Sequence, residues 1–149
     1  MAQLAFIGFE IDFINCKHHR MNNITPKNVG KILIVDDEGD ICYLLSTFFK
    51  HENFETDQVN TLAQAEVHIR ENPPDLIFLD NHLPDGQGTK IIDRLKTEYP
   101  ATRIVVISAH DSASDQQRAL NNGADMFISK PFTRDQVKGA VWSLLKIAV

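Results

Sequence analysis

From Lys31 onward the chain alternates short, nearly continuous apolar runs with longer stretches in which apolar residues recur every three or four positions. The first pattern suits a strand covered on both faces, the second an amphipathic helix. Five strands are predicted: Lys31–Asp36, Phe54–Val59, Asp75–Asp80, Arg103–Ser108 and Asp125–Ser129. The helix after the first strand carries Ile41, Leu44, Leu45, Phe48 and Phe49 on one face. The second opens from a Thr61/Gln64 capping box and runs to about Glu71, where Pro73 and Pro74 stop it. The third follows a loop containing Pro84, Gly86 and Gly88 and ends near Glu98; the fourth spans about Ser112 to Asn121, with Gly123 placed to supply its left-handed stop. The fifth opens from a Thr133/Gln136 box and directs Val137, Ala140, Val141, Leu144, Leu145 and Ala148 inward.

Strands alternating with helices build one parallel sheet, and right-handed crossovers leave few possible orders. The predicted class is therefore α/β, a doubly wound five-stranded parallel sheet of order 2-1-3-4-5, the flavodoxin-like (βα)5 arrangement. Its switch point lies between the first and third strands, so Asp36, Asp37 and Asp80 are expected to become neighbours there.

Residues 1–28 read as an N-terminal extension and 29–149 as the domain proper. Within the extension, Phe9, Ile11 and Phe13 alternate with Glu10 and Asp12 as in a half-buried strand, while Leu4, Ile7, Ile11 and Ile14 fit a helical stripe; both readings stand. The apolar piece Leu4–Ile14 is not a signal peptide: two acids interrupt it, no basic residue precedes it and no small-residue cleavage site follows. Met21 is an alternative start, and Cys16, His18 and His19 are poorly spaced for a metal site. Trp142 falls beside Lys138, off the inward stripe of the last helix, and reads equally as a docking residue or as partial core.

Composition narrows the partners. A net charge of −5 and a pI near 5.6 supply no basic stripe for nucleic acid or anionic lipid, so a protein partner is expected, with no direct nucleic acid and no membrane. No apolar run approaches the roughly 20 residues of a membrane span. Two cysteines, Cys16 and Cys42, are too few for a disulfide framework and suit a cytoplasmic location.

Four of the apolar runs stop on chemistry: on Asp36 and Asp37, on Asp80, on Ser108 and on Lys130. Like carboxylates ~4 Å apart repel by about 4 kcal/mol at an effective dielectric near 20. Lys130 offsets one of the three negative charges, and the remaining two match a divalent cation. Oxygen-only ligands suit Mg²⁺, with Asp37 and Asp80 as ligands and Asp36 acting mainly through water.

These residues resemble the receiver domain of two-component response regulators, over about Lys31 to Val149. The resemblance is carried by Ile34-Val35-Asp36-Asp37-Glu38, by Asp80 with Leu83-Pro84-Asp85-Gly86 and Gly88, by Ser108-Ala109, and by Lys130-Pro131-Phe132. It implies that Asp80 is the phosphoacceptor, taking its phosphoryl group from a phosphohistidine of a sensor histidine kinase or histidine phosphotransfer protein. It also implies that Asp36, Asp37, Asp80 and the backbone carbonyl of His82 hold Mg²⁺, that Ser108 and Lys130 bind phosphoryl oxygens, that Ser108 and Phe127 form a switch, and that the bond to Pro131 is cis. Such a domain is no enzyme in the ordinary sense; it catalyses only its own phosphorylation and dephosphorylation. The His82 side chain is expected either to face the phosphoryl group or to be solvated.

Other classes fit less well. A metal-dependent phosphohydrolase would carry an Asp-x-Asp pair, whereas Asp80 is followed by Asn81 and His82. A flavin protein would need a hydroxyl- and glycine-rich phosphate loop where Asp36-Asp37-Glu38 stands. A scaffold that never takes a phosphoryl group leaves the full set of acids, hydroxyl and lysine without a purpose. With the sequence closing after the last helix, output is expected through contact with a downstream protein, either as a relay intermediate or through the surface of the fourth helix, fifth strand and fifth helix.

Overall fold

The computed structural model describes residues 28–148. The predictions made for Leu4–Ile14, Cys16, His18, His19 and Met21 lie outside them. The elements in chain order are β1 (Lys31–Val35), α1 (Gly39–His51), β2 (Glu55–Val59), α2 (Leu62–Glu71), β3 (Leu76–Asp80), β4 (His82–Leu83), β5 (Gly86–Gln87), α3 (Thr89–Glu98), β6 (Arg103–Ser108), α4 (Ala113–Asn121), β7 (Met126–Ser129) and α5 (Arg134–Leu145). The main sheet is parallel with the order β2-β1-β3-β6-β7. Its long strands thus follow the 2-1-3-4-5 order read from the sequence.

Alternation along each central strand divides the core in two. Leu33 and Val35 of β1, Ile77 and Leu79 of β3, and Ile104 and Val106 of β6 pack with α2, α3 and α4 through Ala65, Ile69, Ile92, Leu95 and Ala119. The intervening Ile32, Ile34, Leu76, Phe78, Val105 and Ile107 pack with α1 and α5 through Cys42, Leu45, Phe49, Val137, Ala140 and Val141. Each buried Val, Leu, Ile or Phe among them contributes roughly 1.5–3 kcal/mol, so both faces favour the observed strand register.

The helix ends obey the local chemistry. Thr61 and Thr133 accept from the backbone N–H groups of Gln64 and Gln136, and Gln136 closes its box. Gly123 adopts φ +107 just after α4, the stop that the sequence predicts. Asp75 and Asp125, placed at strand starts from sequence, stand one residue before β3 and β7, where their carboxylates accept the backbone N–H of Lys31 in β1 and of Ile104 in β6.

Three expectations need correction. The inward stripe of α1 is Cys42, Leu45 and Phe49, with Ile41 and Phe48 at its flank and Leu44 exposed, because the helix is rotated by one position toward the small thiol. Ala148 is exposed and lies beyond α5, which ends at Leu145 with Lys146 in the left-handed conformation. The loop after β3 is not irregular: β4 and β5 form a miniature hairpin, with His82 opposite Gln87 and Leu83 opposite Gly86. Trp142 proves to be partly core, in edge contact with Phe54 at 5.7 Å and covered by the Lys138 ammonium at 4.9 Å.

Candidate functional site

Register brings the polar strand ends together. Val35 pairs with Leu79, so the residues that follow, Asp36 and Asp80, leave adjacent strands at the same level. Asp80 pairs with Ile107, and Ser108 with Ser129, which puts Ser108 and Lys130 one step further along. Backbone ladders hold these residues beyond the strands proper: Asp36 N–H donates to Val59 O at 3.1 Å and Lys130 N–H to Ser108 O at 2.9 Å.

The group that results is buried and crowded. Asp36 is 2% exposed, Asp80 4% and Ser108 0%. The Lys130 ammonium lies 2.9 Å from Asp36 Oδ2, 2.8 Å from Glu38 Oε1 and 3.8 Å from Asp80 Oδ1. Asp36 Oδ1 accepts from Glu38 N–H at 2.8 Å, and Asp80 Oδ1 from His82 N–H at 3.3 Å. Asn60 donates to the Asp36 carbonyl, as does the buried Cys42 thiol. Ser108 Oγ accepts the His110 N–H at 3.1 Å.

Electrostatics follow from this crowding. Burial, then the neighbouring Asp36 charge, pushes the Asp80 carboxyl up to about 6, despite the pull of Lys130 and the His82 amide. Burial alone would lower the Lys130 ammonium, yet its hydrogen bonds to Asp36 and Glu38 outweigh that and raise it. Three carboxylates therefore share one ammonium.

One carboxylate oxygen from each of Asp36, Glu38 and Asp80 lies within 4.8 Å of the others. All are hard oxygen donors whose charge Lys130 offsets only in part, a set that fits a small divalent cation such as Mg²⁺. Asp37 is exposed and stands outside this trio. Phe127 is half-buried against the α2–α4 side of the core, and the Lys130–Pro131 bond is cis.

Two neighbours were not singled out from the sequence. Glu38 bonds Lys130 directly, and its signal was only its place in the acidic triplet. His110 sets its ring 4.0 Å from that of His82, centroid to centroid; a histidine two residues past each of two strand ends was the available clue.

Gly88 sets the Asp80 edge of the site from behind. A Cβ there would lie 2.4 Å from the Asp80 carbonyl oxygen and 2.8 Å from Leu79 Cγ, so only glycine allows α3 to approach β3 this closely. Asn81 ties the same turn, its carbonyl accepting from Gly88 N–H and its side-chain oxygen from Thr89 N–H.

The sequence pattern of the response regulator receiver domain matches residues 32–141. Response regulator GtcR of Aneurinibacillus migulanus is 40% identical over 101 residues, covering 68% of this chain and 41% of that protein. Sporulation initiation phosphotransferase F of Bacillus subtilis is 32% identical over 117 residues, covering 78% and 94%. The signal receiver domain of a putative Luxo repressor protein from Vibrio parahaemolyticus superposes with a TM-score of 0.74 at 29% identity, covering 78% of this chain and 90% of that one. The chain spans only 27% to 53% of the length of the first curated relatives it matches. Among the described residues no helix is long and apolar enough to cross a membrane.

Proposed function

The chain belongs to the response regulator receiver domain family, and on that premise we propose that it is a phosphoacceptor in a two-component or phosphorelay system, with Asp80 as the residue that is marked. The donor is a phosphohistidine on a sensor histidine kinase or histidine phosphotransfer protein, and the marked domain, residues 29–149, acts by contact with a downstream protein in the cytoplasm. The observation that carries this reading is the convergence of Asp36, Glu38 and Asp80 on the one ammonium of Lys130, at the edge where doubly wound sheets bind ligands.

In the transfer an Asp80 oxygen forms a bond to phosphorus as the donor's nitrogen–phosphorus bond breaks, the nitrogen keeping the electron pair. A carboxylate is a weak nucleophile, so the work of the protein is to position it and to stabilise charge on the phosphoryl oxygens. Lys130, already within 3.8 Å of Asp80, pairs with one such oxygen. Ser108 Oγ, whose bond from His110 N–H leaves its hydroxyl proton free to be donated, serves another. Asp36, Asp37, Asp80 and the His82 carbonyl would hold Mg²⁺, which when bound neutralises carboxylate charge and polarises the phosphoryl oxygens. When Ser108 turns to the phosphoryl group, Phe127 moves inward to fill the vacated space. That motion is favoured because its ring carries no hydroxyl to be left unpaired.

The test is direct. Incubation with a small phosphodonor and Mg²⁺ is expected to add the mass of one phosphoryl group, and Asp80→Asn to add none. Full labelling of that variant excludes Asp80 as the acceptor.

A further inference from the structure

The hairpin that follows the acceptor strand is held by a bond made outside it. Asp85, at its tip, reaches across to α2, where Oδ1 accepts from Leu62 N–H at 2.9 Å and Oδ2 from Ala63 N–H at 3.0 Å. The first turn of a helix leaves its N–H groups without intrahelical partners. Thr61 supplies one acceptor, for Gln64 N–H, and α2 has no acid of its own in its first turn. Asp85 therefore completes the cap from another part of the chain, and both amides hold its carboxyl below the usual range.

The contact is more than a cap, because the hairpin is seated on the same turn. Leu83 and Leu62 are buried in one core cluster, and a Cβ at Gly86 would lie 3.2 Å from Leu62 Cδ1. On its near side the hairpin begins at His82, whose N–H bonds Asp80. The far side of this turn is fixed on α3 by Asn81. The loop that carries the acceptor is thus anchored to α3 by Asn81 and to α2 by Asp85.

We propose that Asp85 is a positioning residue for the acceptor site: by clamping the hairpin to α2 it holds the His82 backbone where the acidic cluster needs it. The inference rests on the reading of Asp80 as acceptor and adds α2 to the elements that set its geometry. It does not rest on any contact between Asp85 and phosphate, since the side chain is engaged with α2.

Three variants of the full chain separate this role from plain helix capping. Asp85→Ala removes both acceptors, Asp85→Asn keeps one oxygen, and Thr61→Ala removes a cap of the same helix without touching the hairpin. Amide hydrogen exchange is read across residues 81–88 without metal, and Mg²⁺ affinity is read by calorimetry. In Asp85→Ala, exchange in 81–88 is expected to accelerate and Mg²⁺ binding to weaken by about tenfold, the scale of lost support behind a metal site. Asp85→Asn falls between that variant and the parent, and Thr61→Ala loosens α2 alone with parental Mg²⁺ affinity. Unchanged exchange across 81–88 in Asp85→Ala, or the same loosening of 81–88 in Thr61→Ala, overturns the clamp. A parent protein that binds no Mg²⁺ and takes no phosphoryl group counts instead against the acceptor reading, and the exchange comparison still decides the clamp.

Discussion

The two edges of this sheet solve opposite electrostatic problems. At the amino edge Asp125 sits between two cations: Oδ2 accepts from Ile104 N–H at 2.8 Å and from the Lys96 ammonium at 3.1 Å, and Oδ1 from Arg103 at 3.1 Å. Burial would raise its carboxyl, yet these bonds lower it. At the carboxyl edge the ratio is inverted, with Asp36, Glu38 and Asp80 sharing Lys130, and the Asp80 carboxyl is raised to about 6. The amino edge is built to hold the sheet together. Among the described residues, the carboxyl edge sets three carboxylates against one ammonium.

The sharpest way to break the contrast is to remove Lys130, the cation that the described residues place among these acids. Lys130→Met keeps the stem volume but leaves Asp36 and Asp80 buried without their cation, and is expected to cost about 3 kcal/mol in urea unfolding at pH 7. Addition of Mg²⁺ is expected to restore part of that loss. A variant as stable as the parent would mean that the carboxylates are not mutually strained.

The next largest effect has the opposite sign. In an unfolded chain the Asp80 carboxyl ionises near 3.8, but folded it ionises near 6. Below both values it is protonated in either state and costs nothing; as pH rises through this window the folded form holds the proton that the unfolded form releases, and stability is lost. Above about 6 the accumulated penalty is about 3 kcal/mol. Asp80→Asn is therefore expected to stabilise the protein by up to about 3 kcal/mol at pH 7, with the gain fading as pH is lowered to 4. Thermal midpoints across that range check it, and a destabilised variant at pH 7 refutes it.

Asp125→Asn sharpens the same comparison from the other edge. The lowered carboxyl contributes stability above its unfolded value of 3.8 that is lost as pH falls through the folded one. The substitution is expected to cost about 1–2 kcal/mol at neutral pH, a deficit that shrinks in acid. The two pH profiles should thus diverge with pH in opposite directions. Gly88→Ala is expected to have a comparable cost, about 1–3 kcal/mol, because its methyl group meets the backbone of Asp80. It should also slow phosphoryl uptake, measured as the rate of mass gain.

Most of the fold was legible because it rests on periodicity. The runs ending at Val35, Leu79 and Ile107 are apolar on both faces, and their spacing allows little besides a parallel sheet. Asp36, Asp80, Ser108 and Lys130 were legible for the same reason, since each ends such a run and register alone makes them neighbours. What escaped depends on direction beyond a strand end. Whether Asp37 or Glu38 turns inward is decided by the turn into α1, where the N–H of Glu38 bonds Asp36 and its side chain reaches Lys130. The β4–β5 hairpin is two residues to a strand, too short for alternation to register, and depends on the bond from Asp85 to a helix far away in sequence. The face of α1 departs from the apolar stripe of the sequence because the small Cys42 is buried where the bulkier Leu44 stays exposed.

Trp142, the sole indole of the chain, rests on Phe54, the residue just before β2, at the sheet margin remote from Asp80. Its emission is consequently a private record of whether the α5 packing is intact. Occupancy at the far end is expected to leave that glow unaltered, so one cuvette can follow melting while a separate probe follows Asp80.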